Sequence, residues 1–170
     1  MIERISEKIA IMLKEANPEE TNSVAVMKYH LAIFIHLLLV FVSCLIVGLL
    51  TGKTHETLIT FVSFVMIRFF SGGKHARTLE GCLIISIILI GLIPHIDVYV
   101  WLINPINIFN VCIMAVFAPL IKGVDTVSMK AKPYLKILSI VMVGLNFYFQ
   151  SDIVALAFLA QSLLLIFWRR

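Results

Sequence analysis

Apolar residues in this chain fall into long, nearly pure blocks separated by short polar breaks. That is not the one-sided stripe of a water-soluble helix. Only the first stretch alternates. Ile2, Ile5, Ile9, Met12 and Leu13 recur at helical spacing, with Glu3, Glu7, Lys8, Lys14 and Glu15 between them. This predicts an amphipathic helix over residues 1–17, ended by Asn17-Pro18. Such a helix lies on a membrane surface or on its own domain; a second reading has it dock an amphipathic peptide, and the pattern does not choose between them.

Leu31 to Leu50 has the length to cross a hydrocarbon core. His36 is its one costly residue and predicts an interior-facing side chain. Thr51-Gly-Lys-Thr-His55 makes a polar turn, and it lacks the earlier glycine of a phosphate-binding loop. Leu58 to Phe70 is short for a full crossing. It reads as a thin span with Arg68 snorkelling at its end, or as a partly re-entrant helix; the span is preferred. After Gly72-Gly73, Leu79 to Ile93 forms a third block. Pro94-His95 ends or kinks it, and Ile96 to Ile103 continues it to a turn at Asn104-Pro105. Ile108 to Ile121 is the fourth block, and residues 122–136 form a basic loop with four lysines. Tyr134 to Phe149 and Ile153 to Trp168 are the fifth and sixth, joined by the tight Gln150-Ser-Asp152 turn.

Composition turns blocks into membrane spans. Of 170 residues, 61% are hydrophobic, and the mean hydropathy is +1.02. A soluble domain of this length has too large a surface-to-volume ratio to bury so much apolar surface. One membrane domain over residues 1–170 is the simplest organisation. Residues 1–28 are charged and mixed, so the first block is expected to stay as a helix and not to be removed as a signal peptide.

Charge then sets orientation. With the amino terminus inside, Arg4, Lys8, Lys14, Lys28, Arg68, Lys74, Arg77, Lys122, Lys130, Lys132, Lys136, Arg169 and Arg170 all fall on the inner side, and only Lys53 falls outside. This balance holds only if all six blocks cross. The expected fold is therefore an all-α integral membrane protein: six transmembrane helices, an interfacial N-terminal helix, and both termini cytoplasmic. The net charge of +4 is spent on topology and gives no nucleic-acid signal.

Three cysteines, Cys44, Cys82 and Cys112, are an odd number, and Cys44 and Cys112 lie inside apolar blocks as small hydrophobes. No disulfide framework is expected. Cys82 differs. It closes the polar, glycine-rich run of residues 68–82, seven positions after His75. Thr78 is placed to cap the third helix, which puts Cys82 near its fourth position, at the positive end of the dipole. A thiolate nucleophile needs that field and a nearby base. In one straight helix His75 and Cys82 would be roughly 10.5 Å apart along the axis. Contact requires the chain before Thr78 to double back, and Gly72-Gly73 supply the backbone freedom. Arg68, Lys74 and Arg77 add positive charge that favours thiolate and holds a peptide carboxylate or carbonyl oxygen. Glu80 complements the helix dipole.

These residues alone leave alternatives open. A Gly-Gly loop with basic residues is also an ordinary cytoplasmic turn of a scaffold, with a packing cysteine behind it. A small peptide or ion transporter would line its path with His36, His95 and Arg68. A metal site is least favoured, since His75 and Cys82 supply only two ligands.

The combination Arg68, Gly72, Gly73, His75 and Cys82, set among six short apolar blocks with a lysine loop before the fifth, resembles the accessory gene regulator protein B (AgrB) family. These are bacterial membrane cysteine endopeptidases of peptide quorum sensing. The stretch from Ala118-Pro119 through Lys132-Pro133 is also similar to the family's proline- and lysine-bearing loop. Lys74 stands where the family commonly has an aromatic residue, which bears on how the substrate is gripped. The resemblance implies a location in the bacterial cell membrane, no cofactor and a homodimer. It implies a small pro-peptide substrate with an amphipathic leader and an acidic tail. Cys82 would attack the bond before that tail, with His75 as base and then acid, and Arg68, Gly72, Gly73, Lys74 and Arg77 in support. An internal thiol or hydroxyl would then close a thiolactone or lactone.

Overall fold

The computed structural model describes residues 1–73, 78–119 and 131–167. Among these residues the chain is all-helical: α1 (Ile2–Ala16), α2 (Val24–Thr51), α3 (Thr54–Ser71), α4 (Leu79–Leu92), a 3-10 turn (Ile93–His95), α5 (Val100–Phe117), α6 (Lys132–Phe149) and α7 (Asp152–Phe167). Two of these helices, α2 and α5, are long and apolar enough to cross a membrane. Leu79–His95 and Asp152–Phe167 are shorter apolar helical segments. The chain divides into two compact units, one of Met1–Ser43 with His75–Ile88 and one of Cys44–Lys74 with Leu89–Arg170.

In the first unit, α1 buries Ile2, Ser6 and Ala10, spaced four apart on one face. The Ser6 hydroxyl donates to the Ile2 carbonyl at 2.9 Å. Of the apolar positions read from the sequence only Ile2 is buried; Ile5, Ile9, Met12 and Leu13 are exposed, Met12 at 67%. The Glu80 carboxylate pairs with the Met1 ammonium and accepts the Ile2 N–H at 3.2 Å. Lys28 Nζ meets Glu7 Oε2 at 3.0 Å. The link to α2 is tied back by Lys14 Nζ, which donates to the Pro18 and Thr21 carbonyls at 2.6 and 2.8 Å. Between the end of α1 and the start of α2 lies an open groove of about 320 Å³, lined by Leu13, Val26, Met27, His30, Leu31 and Phe34 among others.

In the second unit, α3 and α5 each pack against both α6 and α7. Ile67, Met114, Ala118, Val143, Phe158 and Leu165 form the apolar core. The 3-10 turn packs on α3 and α7, and Lys53 Nζ, at the start of α3, donates to the Pro94 carbonyl at 2.7 Å.

The break between the third and fourth blocks differs from the sequence reading. The expected turn at Asn104-Pro105 lies inside α5, and Ile96 to Ile103 does not continue the third helix. The break comes earlier, at the proline-led 3-10 turn and the non-helical residues that follow it. The physical reason is that the α5 asparagines are occupied by the bundle. Asn146 Nδ2 donates to Asn107 Oδ1 at 3.1 Å. Asn110 Nδ2 donates to the Ala155 carbonyl at 3.1 Å, and Asn110 Oδ1 accepts from Ser162 Oγ at 2.9 Å. Asn107, Asn110 and Asn146 are all buried. Such amides favour turns in water because they bond to nearby backbone, and here other helices supply the partners. Pro105 forgoes one helical hydrogen bond near the start of α5, a loss a helix bundle tolerates.

Asn146 also closes the α6–α7 turn. Its Nδ2 donates to the Ser151 carbonyl at 3.0 Å and its Oδ1 accepts the Ser151 N–H at 3.2 Å. Gln150 takes the left-handed conformation there, φ 50°. Asn146→Ala would orphan the Ser151 groups and the Asn107 oxygen together. We expect it to lower the stability of the detergent-solubilised protein by about 1–2 kcal/mol, read as a drop in Tm.

Candidate catalytic segment

Arg68 sits in the last turn of α3, with its guanidinium 5.9 Å from the centre of the Phe64 ring. The helix ends as the Gly72 N–H bonds to the Arg68 carbonyl at 3.0 Å. Gly72 then adopts φ 68°, ψ −157°, and Gly73 adopts φ 148°. Both conformations belong to glycine, because a Cβ there meets its own backbone. A Cβ on Gly73 would find its nearest neighbour, Gln161 Nε2, at 3.6 Å, so backbone conformation and not crowding demands glycine. The positive-φ glycines stand where the sequence places them, and the doubling-back expected before Thr78 falls on residues 74–77, outside the described residues.

Gln161 of α7, fully buried, gathers this corner. Its Nε2 donates to the Gly72 carbonyl at 2.8 Å and to Ser71 Oγ at 3.0 Å. Its Oε1 accepts from Arg68 Nη1 at 3.3 Å. Sequence reasoning passed over Gln161. The available signal was an uncharged amide in the middle of an apolar block, which needs a partner in a dry interior.

On the other side of the segment, Thr78 caps α4 as expected. Its Oγ1 accepts the Gly81 N–H at 3.1 Å, and its carbonyl accepts the Cys82 N–H at 3.2 Å. Cys82 is the fourth residue of α4 and is 1% exposed. Cys82 thus stands in the first turn of α4, at the helix's positive end. Two N–H groups of that first turn, those of Gly81 and Cys82, are thus engaged by Thr78. Cys44 is buried and Cys112 exposed.

Arg68, Gly72 and Gly73 are thus brought together around Gln161, and Cys82 is fixed in the first turn of α4. Lys74, His75 and Arg77 lie outside the described residues, as do most of the basic 122–136 loop and Trp168 to Arg170.

Comparison with known proteins supplies the frame. The family model for Accessory gene regulator B matches residues 6–169. A curated AgrB-like protein of Halalkalibacterium halodurans is 34% identical over 110 residues, covering 63% of this chain and 56% of that protein. The match thus spans little more than half of that relative. No solved structure matches the chain. With a family match over nearly its whole length and two helices fit to cross a bilayer, this chain is a membrane protein that belongs to the accessory gene regulator B family.

Proposed function

We propose that the protein is a membrane-embedded cysteine endopeptidase that processes a quorum-sensing pro-peptide. The observation that carries the reading is Cys82 in the capped first turn of α4, seven residues after His75 and beyond the glycine corner. In this reading α2 to α7 are six spans with both termini cytoplasmic, as the lysine and arginine balance requires. His75 takes the Cys82 proton, and the sulfur attacks the carbonyl carbon before the acidic tail. The C–N bond breaks, His75 protonates the leaving amine, and a thioester remains on Cys82. A thiol or hydroxyl of the peptide attacks that thioester. Its proton passes through His75 to the departing sulfur, and a thiolactone or lactone is released. Exclusion of water favours this internal nucleophile over hydrolysis.

Arg68, Lys74, Arg77 and the lysines of residues 122–136 complement an acidic tail. The open apolar groove beside α1 suits the amphipathic leader. The protein works as a homodimer in the bacterial cell membrane and needs no cofactor.

Intact-mass and peptide mapping of the protein co-expressed with its pro-peptide tests the covalent step. The expected result is an adduct of the processed fragment on the peptide that contains Cys82. Continuing cleavage with the adduct on another residue would overturn the assignment. Alkylation by iodoacetamide gives an independent check. Exposure alone ranks Cys112 ahead of Cys82, whereas thiolate reactivity ranks Cys82 first. We expect Cys82 to react first; fast Cys112 with inert Cys82 would argue against an activated thiol.

A further inference from the structure

We infer that the outward face of α1 docks on a phospholipid bilayer: Ile5, Ile9 and Met12 enter the boundary between headgroups and acyl chains, and Arg4 and Lys8 meet lipid phosphates along one edge. The inference does not depend on the endopeptidase reading.

The division of α1 into faces is the first observation. At about 100° per residue, Ile5, Ile9 and Met12 share one arc of the helix, and all three are exposed. Ile2, Ser6 and Ala10 occupy the next arc and are buried. Arg4 and Lys8 border the exposed apolar arc on its other side, and Glu3 and Glu7 lie across the helix. The helix thus turns two small residues toward its own unit and leaves larger apolar ones outside. An apolar strip edged by basic residues is the pattern of an interfacial helix, whose Lys and Arg stems run along the strip while their charged ends reach phosphate.

The tethers of α1 point to a bilayer as the occupant. Glu80 accepts the Ile2 N–H at 3.2 Å and is the second residue of α4. Lys28 of α2 meets Glu7 Oε2 at 3.0 Å. Both tethering residues stand where a polar stretch gives way to an apolar helix: Leu83 to Ile85 follow soon after Glu80, and the block from Leu31 follows Lys28. The two apolar helices therefore begin at α1, on the same side. That is the level at which a bilayer surface meets them. The groove beside α1 is a different surface, lined by Leu13 and the start of α2 and not by Ile5, Ile9 or Met12.

The test is quenching of a single tryptophan in the intact chain, reconstituted in vesicles of phosphatidylcholine and phosphatidylglycerol in equal parts. Trp101 and Trp168 are replaced by phenylalanine. The probes are Met12→Trp and Ile5→Trp on the outward face and Glu3→Trp on the opposite one. Lipids brominated at shallow acyl positions report contact with the bilayer, and iodide reports contact with water. We expect bromolipid to quench Met12→Trp and Ile5→Trp at least about threefold more than Glu3→Trp, with iodide giving the reverse order. Ile5→Trp decides alone should Met12→Trp fail to fold. Equal quenching of all three probes would overturn the inference. Outward probes left bright by bromolipid, and changed only by an added amphipathic pro-peptide, would assign the face to that peptide and overturn it too. Outward probes shielded from both quenchers, with the shielding lost in nanodiscs that hold one copy, would assign it to a second copy of the chain, with the same consequence.

Discussion

Cys82→Ala is expected to leave pro-peptide cleavage below detection while the protein inserts at wild-type level. In enzymes of this logic, loss of the nucleophile costs on the order of 10⁴–10⁶ in rate, because the covalent route disappears and only binding remains. Removing a thiol from the first turn of α4 deletes one small buried atom and leaves the Thr78 cap intact. Stability should therefore change little. His75→Ala removes the base but not the sulfur, and a residual rate from spontaneously formed thiolate is expected, about 10²–10⁴ below wild type. Cys112→Ala, at an exposed position on α5, should process normally. The measurement is the ratio of intact to tail-less peptide by mass spectrometry. Normal processing by Cys82→Ala would end the peptidase reading.

Gly72→Ala is expected to have the next largest effect. At φ 68°, ψ −157° no alanine fits without strain. The local cost is of order 1–3 kcal/mol, small beside the energy holding α3 to its neighbours. The chain is therefore expected to stay folded and to relieve the strain by turning the Gly72 peptide. That breaks the Gln161 bond and shifts the backbone at the start of the candidate catalytic segment. Cleavage should fall about a hundredfold with little loss of folded protein. Gly52→Asn is the matched comparison. It too has positive φ, 70°, a region asparagine visits readily, and it lies outside the segment. Its cleavage should be normal, and a similar loss in both variants would show that the Gly72 effect is not specific.

Much of the helix pattern was legible because each block is bounded by residues that cannot lie in lipid. Phe149 ends α6 as expected, α7 begins at Asp152, one residue before the expected Ile153, and Thr78 fixes the register of Cys82 through a local cap. The misreadings have a shared cause. Asn104-Pro105 looks like a turn only if water is assumed to satisfy the asparagines, and Asn107 and Asn110 instead meet Asn146, Ala155 and Ser162. Counting apolar residues started the first span at Leu31, but α2 begins at Val24, because a helix runs on past the point where charged residues enter. The α1 stripe showed which residues are apolar, not which ones the protein buries: Ser6 and Ala10 go inward and Met12 does not. Gln161 escaped notice because its three partners lie at the end of another helix and just beyond it, 89 to 93 positions away. Long-range pairing of that kind leaves no local periodicity to read.

The Asn146 side chain, clasping both backbone groups of Ser151, makes α6 and α7 a locally pre-tied pair. On the six-span reading, a translocon handing these helices to lipid one at a time would expose that amide and the Ser151 backbone to hydrocarbon. Handed over together, they carry their own partners. Biogenesis should therefore treat residues 132–167 as a single insertion step, with α5 joining afterwards through Asn107 and Asn110.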